Sequence, residues 1–421
     1  MKIKIALLLL CGGLLSPNGL VPAETPIKAG LVSVPKNLVT GRKIESLGLD
    51  VLAEWQGKFF VLAGPEDLER LDAEQIIYRP ETAAGPAYPA APARGGINGA
   101  YHTYLELQAD LFALERSHPN IAKIFDIGDS HEKRHIYALK ISDNVAVEEE
   151  EAEILFTGCH HAREWISVEV PFLLGKYLAE NYATDPEVRR LVDRSEIWIV
   201  PLVNPDGLEY SIHVYRYWRK NRRDSGRGNF GVDLNRNYGY QWGFDNEGSS
   251  SDPGSAVYRG SAPFSEPETQ AIRDLFLRKN FQAMISYHSF SQVILYPWGY
   301  TVQPSDRNEE LRTIAAEMSR RIQAVNGRTY VYGQSSGPSM YLTNGDTTDW
   351  TFGIAGIPSY TIELPPIDEL GGGFFNRQED IDPIFSENLP AALYLLDRSI
   401  QEFRPRPPSR FDLRSLFFIK D

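Results

Sequence analysis

Apolar and polar positions along this chain recur at two periods, and the switches between them mark its elements. From Leu105 to Ser117 the apolar residues return at helical spacing, and the run ends at His118-Pro119. Ile136 to Ile141 reads as a strand. Ile154-Leu155-Phe156 is wholly apolar, as expected of a strand covered on both faces. Val168 to Asn181 predicts a long helix with Pro171 near its start. Ile197 to Val203 is a second buried strand, and Asn204-Pro205-Asp206-Gly207 after it reads as a turn. Pro267 to Lys279 predicts a helix and Phe281 to Tyr287 a strand. Glu309 to Asn326 is an amphipathic helix stopped at Gly327, and Tyr360 to Leu364 is a late strand. Strands alternating with helices predict an α/β protein, a three-layer α/β/α sandwich around a mixed, mostly parallel twisted sheet.

The same reading divides the chain. Residues 1–23 have a signal peptide's form, with Lys2 and Lys4, an apolar core from Ile5 to Leu10 and a small-residue site at Val21-Pro22-Ala23. That core is too short to span a membrane. Residues 24–80 predict a small α+β unit. Its strands are Val51 to Trp55 and Phe59 to Leu62 about a Gln56-Gly57 turn, then Gln75 to Tyr78, with a helix opening at Pro65-Glu66-Asp67-Leu68. Residues 81–99 are rich in proline, alanine and glycine and form a linker open to proteolysis near Arg94. The unit before it is therefore expected to be a prodomain, although a permanent accessory domain fits the same composition. Residues 100–400 form the main domain and 401–421 a C-terminal extension.

Composition narrows the options. The formal charge of -13 argues against nucleic acid or an anionic membrane as partner. With Cys11 in the signal, Cys159 is the one cysteine left, so no intramolecular disulfide can form; it is expected to be a small buried residue. The chain is expected to be secreted or periplasmic, without a membrane span, and monomeric.

Candidate chemistry centres on Thr157-Gly158-Cys159-His160-His161-Ala162-Arg163-Glu164-Trp165, which follows the buried strand at Ile154. His161 and Glu164 put an imidazole and a carboxylate on one face of a tight turn, half of a His₂Glu zinc site. His160 is the rival ligand, but Arg163, three places after it, cannot bind a cation. A literal H-E-x-x-H stands at His131-Glu132-Lys133-Arg134-His135. Gly128-Asp129-Ser130 before it and the strand pattern after it make it a hairpin turn, not the helix such a zinc site needs. The third ligand is expected from a distant strand end, and His288 in Ser286-Tyr287-His288-Ser289 provides it. Glu363 lies inside the apolar strand Thr361-Ile362-Glu363-Leu364, where a buried acid needs a chemical reason. Arg219 in Tyr217-Trp218-Arg219-Lys220 and the run Asp233-Leu234-Asn235-Arg236-Asn237 complete the set with Tyr341 to Trp350.

In type, order and approximate spacing, these motifs resemble the zinc carboxypeptidases of the metallocarboxypeptidase A type, from about Ala100 to Ser399. The resemblance implies that His161, Glu164 and His288 bind one zinc ion and that Asp233 orients His161. It implies that Glu363 is the general base toward a zinc-activated water and that Arg219 stabilises the oxyanion. Asn235, Arg236 and Tyr341 would hold the free C-terminal carboxylate of a peptide or protein substrate, and Arg163 would touch substrate residues further upstream. The side-chain pocket would be walled by Ser286, Leu295, Met340, Thr343, Asp346, Thr348 and Thr361. Threonine at 348, with Asp346 nearby, predicts a broad pocket that takes apolar and also basic side chains. Phe290 departs from the family, which often has tyrosine there, and Pro365-Pro366 stands where a basic residue is common. The alternatives are a related zinc hydrolase acting on cell-wall peptides and a non-catalytic binding module, which would be expected to lose a ligand or the glutamate.

Overall fold

In a computed structural model the structure describes residues 30–35, 43, 44, 47, 49–55, 58–63, 65–80, 98–226, 228–337, 341–368 and 372–404. The expected signal peptide, the turn at Gln56-Gly57, the linker with its Arg94 site, Met340 and most of the C-terminal extension lie outside them.

The N-terminal unit is built from β1 (Gly30–Pro35), β2 (Asp50–Trp55), β3 (Lys58–Ala63), α1 (Pro65–Ala73) and β4 (Arg79–Pro80), in the sheet order β2-β3-β1-β4. The strand expected over Gln75 to Tyr78 is absent. Gln75 takes a positive φ of 56° as the chain leaves α1, and pairing with β1 begins only at Arg79. The unit has its own small core of Val32, Val34, Ile44, Leu49, Val61, Ala63, Leu71 and Ile76.

The main body runs α2 (Tyr104–Ser117), β5 (Ala122–Asp129), β6 (His135–Ile141), β7 (Ala152–Gly158), α3 (Ile166–Asn181), α4 (Pro186–Val192), β8 (Ser195–Val200) and α5 (Pro205–His213). The short pair β9 (Asp224–Gly226) and β10 (Asn229–Phe230) follows, then α6 (Pro267–Arg278), β11 (Phe281–Ser289), β12 (Val293–Tyr296), α7 (Asn308–Asn326) and β13 (Val331–Gln334). The body ends with α8 (Thr347–Ala355), β14 (Ser359–Leu364) and α9 (Ile381–Glu402). One run differs from expectation. The strand from Ile197 stops at Val200, and Asn204-Pro205 opens α5 instead of a free turn. Asn204 caps the helix by accepting from the Gly207 amide, and proline occupies the first turn, where its missing N–H costs nothing.

Eight strands form one mixed sheet in the order β13-β12-β14-β11-β7-β8-β6-β5. The four central strands β14, β11, β7 and β8 are parallel, and the antiparallel pairs lie toward the edges. Helices cover both faces, which explains the wholly apolar strands. On β7, Ile154 and Phe156 face one core while Leu155 faces the other; on β8, Ile197 and Ile199 oppose Trp198 and Val200. A side chain such as Phe156, fully buried, contributes about 1.5–3 kcal/mol by leaving water. No helix among the described residues is long and apolar enough to cross a membrane.

Candidate active site

Functional side chains gather beyond the carboxyl ends of β7, β11 and β14, where open α/β sheets leave a crevice for ligands. Close approach shapes the first of these ends. A Cβ on Gly158 would lie 2.0 Å from the Ser167 carbonyl oxygen, so only glycine lets β7 meet the start of α3. Cys159 then takes a positive φ of 53° and its amide donates to Ser167 Oγ. The turn is held by the Ala162 amide on the Arg219 carbonyl and by the Asn204 side chain on the His160 carbonyl.

That turn delivers His161 and Glu164, with His161 Nδ1 2.8 Å from Glu164 Oε1. β11 brings His288, whose Nδ1 lies 3.0 Å from Glu164 Oε2 and 3.1 Å from His161 Nδ1. All three side chains are buried and their donor atoms lie within 4.8 Å of one another. Two ring nitrogens that face each other and a carboxylate across 3 Å fit a shared cation, because imidazole and carboxylate are the donors that zinc takes in a His₂Glu set. The expected third ligand is thus brought to the other two. His160, the rival, points away and is hydrogen-bonded to Tyr238 at 2.8 Å.

Behind the group, Asp233 Oδ1 lies 3.1 Å from His161 Nε2. Asp233 Oδ2 accepts from Arg219 Nε at 3.0 Å and Nη2 at 2.8 Å. Burial would raise the Asp233 carboxyl, but Arg219 and His161 hold it well below the usual range. Burial and the Arg219 charge lower the His161 imidazole below its ordinary value. Burial would also raise Glu164, yet the two histidines hold it far below the carboxylate range.

Glu363 sits on β14 directly beside His288 in the strand register. It is the one residue of its strand that is not fully buried. Burial, with the Glu164 charge second, pushes its carboxyl up to about 8. A divalent cation next to it would pull that value down again.

Arg236 is 2% exposed. Its Nε donates to Gly248 O and its Nη1 to Asn235 O, so the guanidinium is fixed in the plane of its backbone contacts. Asn235 Oδ1 accepts from both the amide and the hydroxyl of Thr347, which leaves its Nδ2 as the outward donor. Tyr341 is 56% exposed, with its ring 6.0 Å from the Arg236 guanidinium carbon. Arg163 is buried beneath Phe374, 4.1 Å from the ring, and Phe290 meets that same ring edge-on.

Two expected pocket residues carry duties that the sequence did not reveal. Asp346 caps α8: its Oδ1 accepts from the Asp349 amide and Thr348 Oγ1, and its Oδ2 from Thr343 Oγ1. The hydroxyl of Thr348 is therefore spent on Asp346. Ser286 directs its Oγ between His160 and His288. Sequence reasoning missed this link; the only trace was the doubled histidine at 160–161. The H-E-x-x-H stretch is a β5–β6 turn, as expected. His131 pairs with Glu266 at 2.8 Å, while His135 lies half-exposed beside Asp126 and Asp129.

Comparison with known proteins agrees with this geometry. The zinc carboxypeptidase family profile matches residues 107–391. A zinc carboxypeptidase of Saccharothrix mutabilis subsp. capreolus is 32% identical over 84% of this chain and 85% of its own. Carboxypeptidase A1 of Rattus norvegicus is 34% identical over 72% of this chain and 70% of its own. Among solved structures, thrombin activatable fibrinolysis inhibitor superposes with a TM-score of 0.73 at 26% identity, covering 89% of this chain and 99% of that one. The chain belongs to the zinc carboxypeptidase family, and is accordingly a metallocarboxypeptidase, a hydrolase with one catalytic zinc ion.

Proposed function

We propose that this protein is a secreted exopeptidase that removes the C-terminal residue of peptides, holding zinc through His161, Glu164 and His288. The observation that carries the reading is the register of β11 and β14, which sets Glu363 beside His288 at the mouth of the three-donor group. The zinc ion supplies Lewis acidity toward a carbonyl and makes a water more acidic. Glu363 receives the proton of the attacking water and returns it to the leaving amine. Arg219, held by two bonds to Asp233, is the donor for the developing oxyanion. Arg236 and the Nδ2 of Asn235 grip the substrate carboxylate, because a fixed guanidinium offers parallel N–H groups to two oxygens. Exposed Tyr341 closes over it, and Arg163 supports the upstream subsites through Phe374.

The side-chain pocket takes apolar residues first. Thr348 carries no charge, and Asp346 already spends three of its acceptor positions as a helix cap. A lysine or arginine would meet only the remaining capacity of Asp346 Oδ2. The residues before 81 act as a prodomain released by a cut near Arg94, and the mature enzyme is a monomer. Arg70 on α1 donates to Asp252 at 2.8 Å, a direct contact between that unit and the main body.

The test is a digestion read by mass spectrometry, using one peptide as free acid and as C-terminal amide, with Glu363→Gln as control. Single-residue losses from the free acid alone, absent in the variant, support the reading. Internal cuts in both peptides refute it. Release of Leu and Phe against Arg and Lys measures the pocket, and a preference above about a thousandfold for one class, roughly 4 kcal/mol, refutes a broad one.

A further inference from the structure

We propose that His160 is a positioning residue: through Ser286 it fixes the ring of His288 for zinc, and through Thr347 it ties that ring to Asn235. The inference rests on the ligand assignment proposed above.

The argument follows the protons. His288 Nδ1 faces Glu164 and His161, so it must offer its lone pair to the metal, and the ring proton then sits on Nε2. Nε2 lies 3.1 Å from Ser286 Oγ and donates to it. The Ser286 hydroxyl is left to donate, and its next neighbour is His160 Nδ1 at 3.4 Å. That makes His160 Nδ1 the acceptor and puts its proton on Nε2, which lies 2.8 Å from Tyr238 Oη and 3.2 Å from Thr347 Oγ1. Thr347 in turn donates its hydroxyl to Asn235 Oδ1 at 2.8 Å. Each link has a donor facing an acceptor, with the His160 Nε2 proton shared between Tyr238 and Thr347, and the direction of the whole chain is set by the tautomer that zinc demands at His288.

Burial gives the chain its force. His160, Ser286, Tyr238 and Thr347 are all fully buried, so none can exchange its partner for water. The His160 ring also stacks on His288, with centroids 5.5 Å apart and planes 15° from parallel, which restrains the ligand ring against rotation. Asp233 performs the equivalent service for His161 with a charge; His288 receives a neutral relay instead. The two supports meet at Asn235, whose amide donates to Asp233 Oδ1 and whose side chain accepts from Thr347. Zinc binding and the grip on the substrate carboxylate therefore share one rigid frame.

The test is the zinc dissociation constant of the full chain, measured by chelator competition. The variants are His160→Leu, Ser286→Ala, the pair together, His160→Gln and Glu164→Gln, each with a melting curve. His160→Leu and Ser286→Ala are expected to weaken zinc by about 10–100-fold, the usual effect of losing a group that orients a ligand. The double variant should lie within about threefold of the weaker single one, because both cut the same chain. His160→Gln, which can still accept and donate, should recover most of the loss. Folded single variants with wild-type affinity overturn the proposal, as do losses that multiply in the double variant. If His160→Leu does not fold, Ser286→Ala and Tyr238→Phe decide by the same measure. Glu164→Gln separates the two levels: if it abolishes binding while folded His160→Leu keeps wild-type affinity, only the relay fails, and if it keeps zinc, the ligand assignment and the relay both fall.

Discussion

Among the described residues, two clusters bring histidine and glutamate donors within 4.8 Å of one another: His161, Glu164 and His288 beyond the sheet, and His131, Glu266 and Glu268 at the β5–β6 turn. In the second cluster the protein itself supplies the positive and donating partners. Arg223 Nη1 reaches Glu266 at 2.6 Å, Ser265 Oγ does the same, and Asn221 Nδ2 donates to both glutamates. Nothing is left for a cation to do. In the first cluster the nearest guanidinium, Arg219, is turned onto Asp233 and lies 3.9 Å from Glu164, while two ring nitrogens face each other at 3.1 Å. The comparison teaches that a list of ligand-type residues does not define a metal site. What defines it is whether the fold has already furnished donors for the lone pairs.

The largest effect expected from this contrast is catalytic. Glu363→Gln should lower kcat by about 10²–10⁴-fold with bound zinc unchanged in metal analysis, the range for loss of a general base. His131→Gln, in the other cluster, should leave peptide hydrolysis within about twofold and the zinc content at one ion per chain. A second zinc ion lost on that substitution would erase the contrast.

The next effect is on stability. Glu266→Ala leaves buried Asn221 and part-buried Arg223 without their acceptor and should cost about 2–4 kcal/mol in urea unfolding, somewhat less than removal of one partner of a fully buried ion pair. A cost under about 1 kcal/mol would mean that the cluster is not held by these bonds.

A pH dependence follows with its sign. Burial would raise the Glu266 carboxyl, but the hydrogen bonds from His131, Ser265, Asn221 and Arg223 hold it at about 2. A lowered pKa stabilises the fold above the ordinary value near 4.5, and that stability is lost as pH falls toward 2, by about 3 kcal/mol in full. Glu268 has the opposite sign. Burial pushes it up to about 7, so it costs stability as pH rises from about 4.5 to 7. Unfolding midpoints from pH 2 to 7 should show a weaker acid limb in Glu266→Gln and a flatter neutral limb in Glu268→Gln. The smallest expected effect is that of His131→Gln on stability, about 1–3 kcal/mol for a hydrogen bond to a charged group, read from the same urea curves.

Much of the fold was legible in the sequence because burial on two faces leaves an unmistakable trace. The apolar runs at Ile154, Ile197 and Phe281 are central strands, and the stop at Gly327 is a left-handed helix cap. The misread elements were local ambiguities. Asn-Pro serves equally as a turn and as a helix cap, and at 204–205 it is the cap. The strand expected at Gln75 to Tyr78 starts later because Gln75 turns the chain first.

The site divides in the same way. The residues proposed to hold the ion and the proton were singled out from their chemistry and spacing, since His161 and Glu164 sit three apart on one turn and Glu363 is an acid in an apolar strand. The duties of Asp346, Ser286 and His160 were not legible. Ser286 and His160 meet from distant parts of the chain, and the partners of Asp346, though only two or three places away, are chosen by the geometry of the cap; neither kind of hydrogen bond leaves a period or spacing to read. The sequence by itself therefore determined which side chains could bind zinc and move a proton, because that is a property of the groups themselves. Only the tertiary structure decided which of two similar clusters is already met directly by an arginine and an asparagine, because that depends on every neighbour that folding brings close.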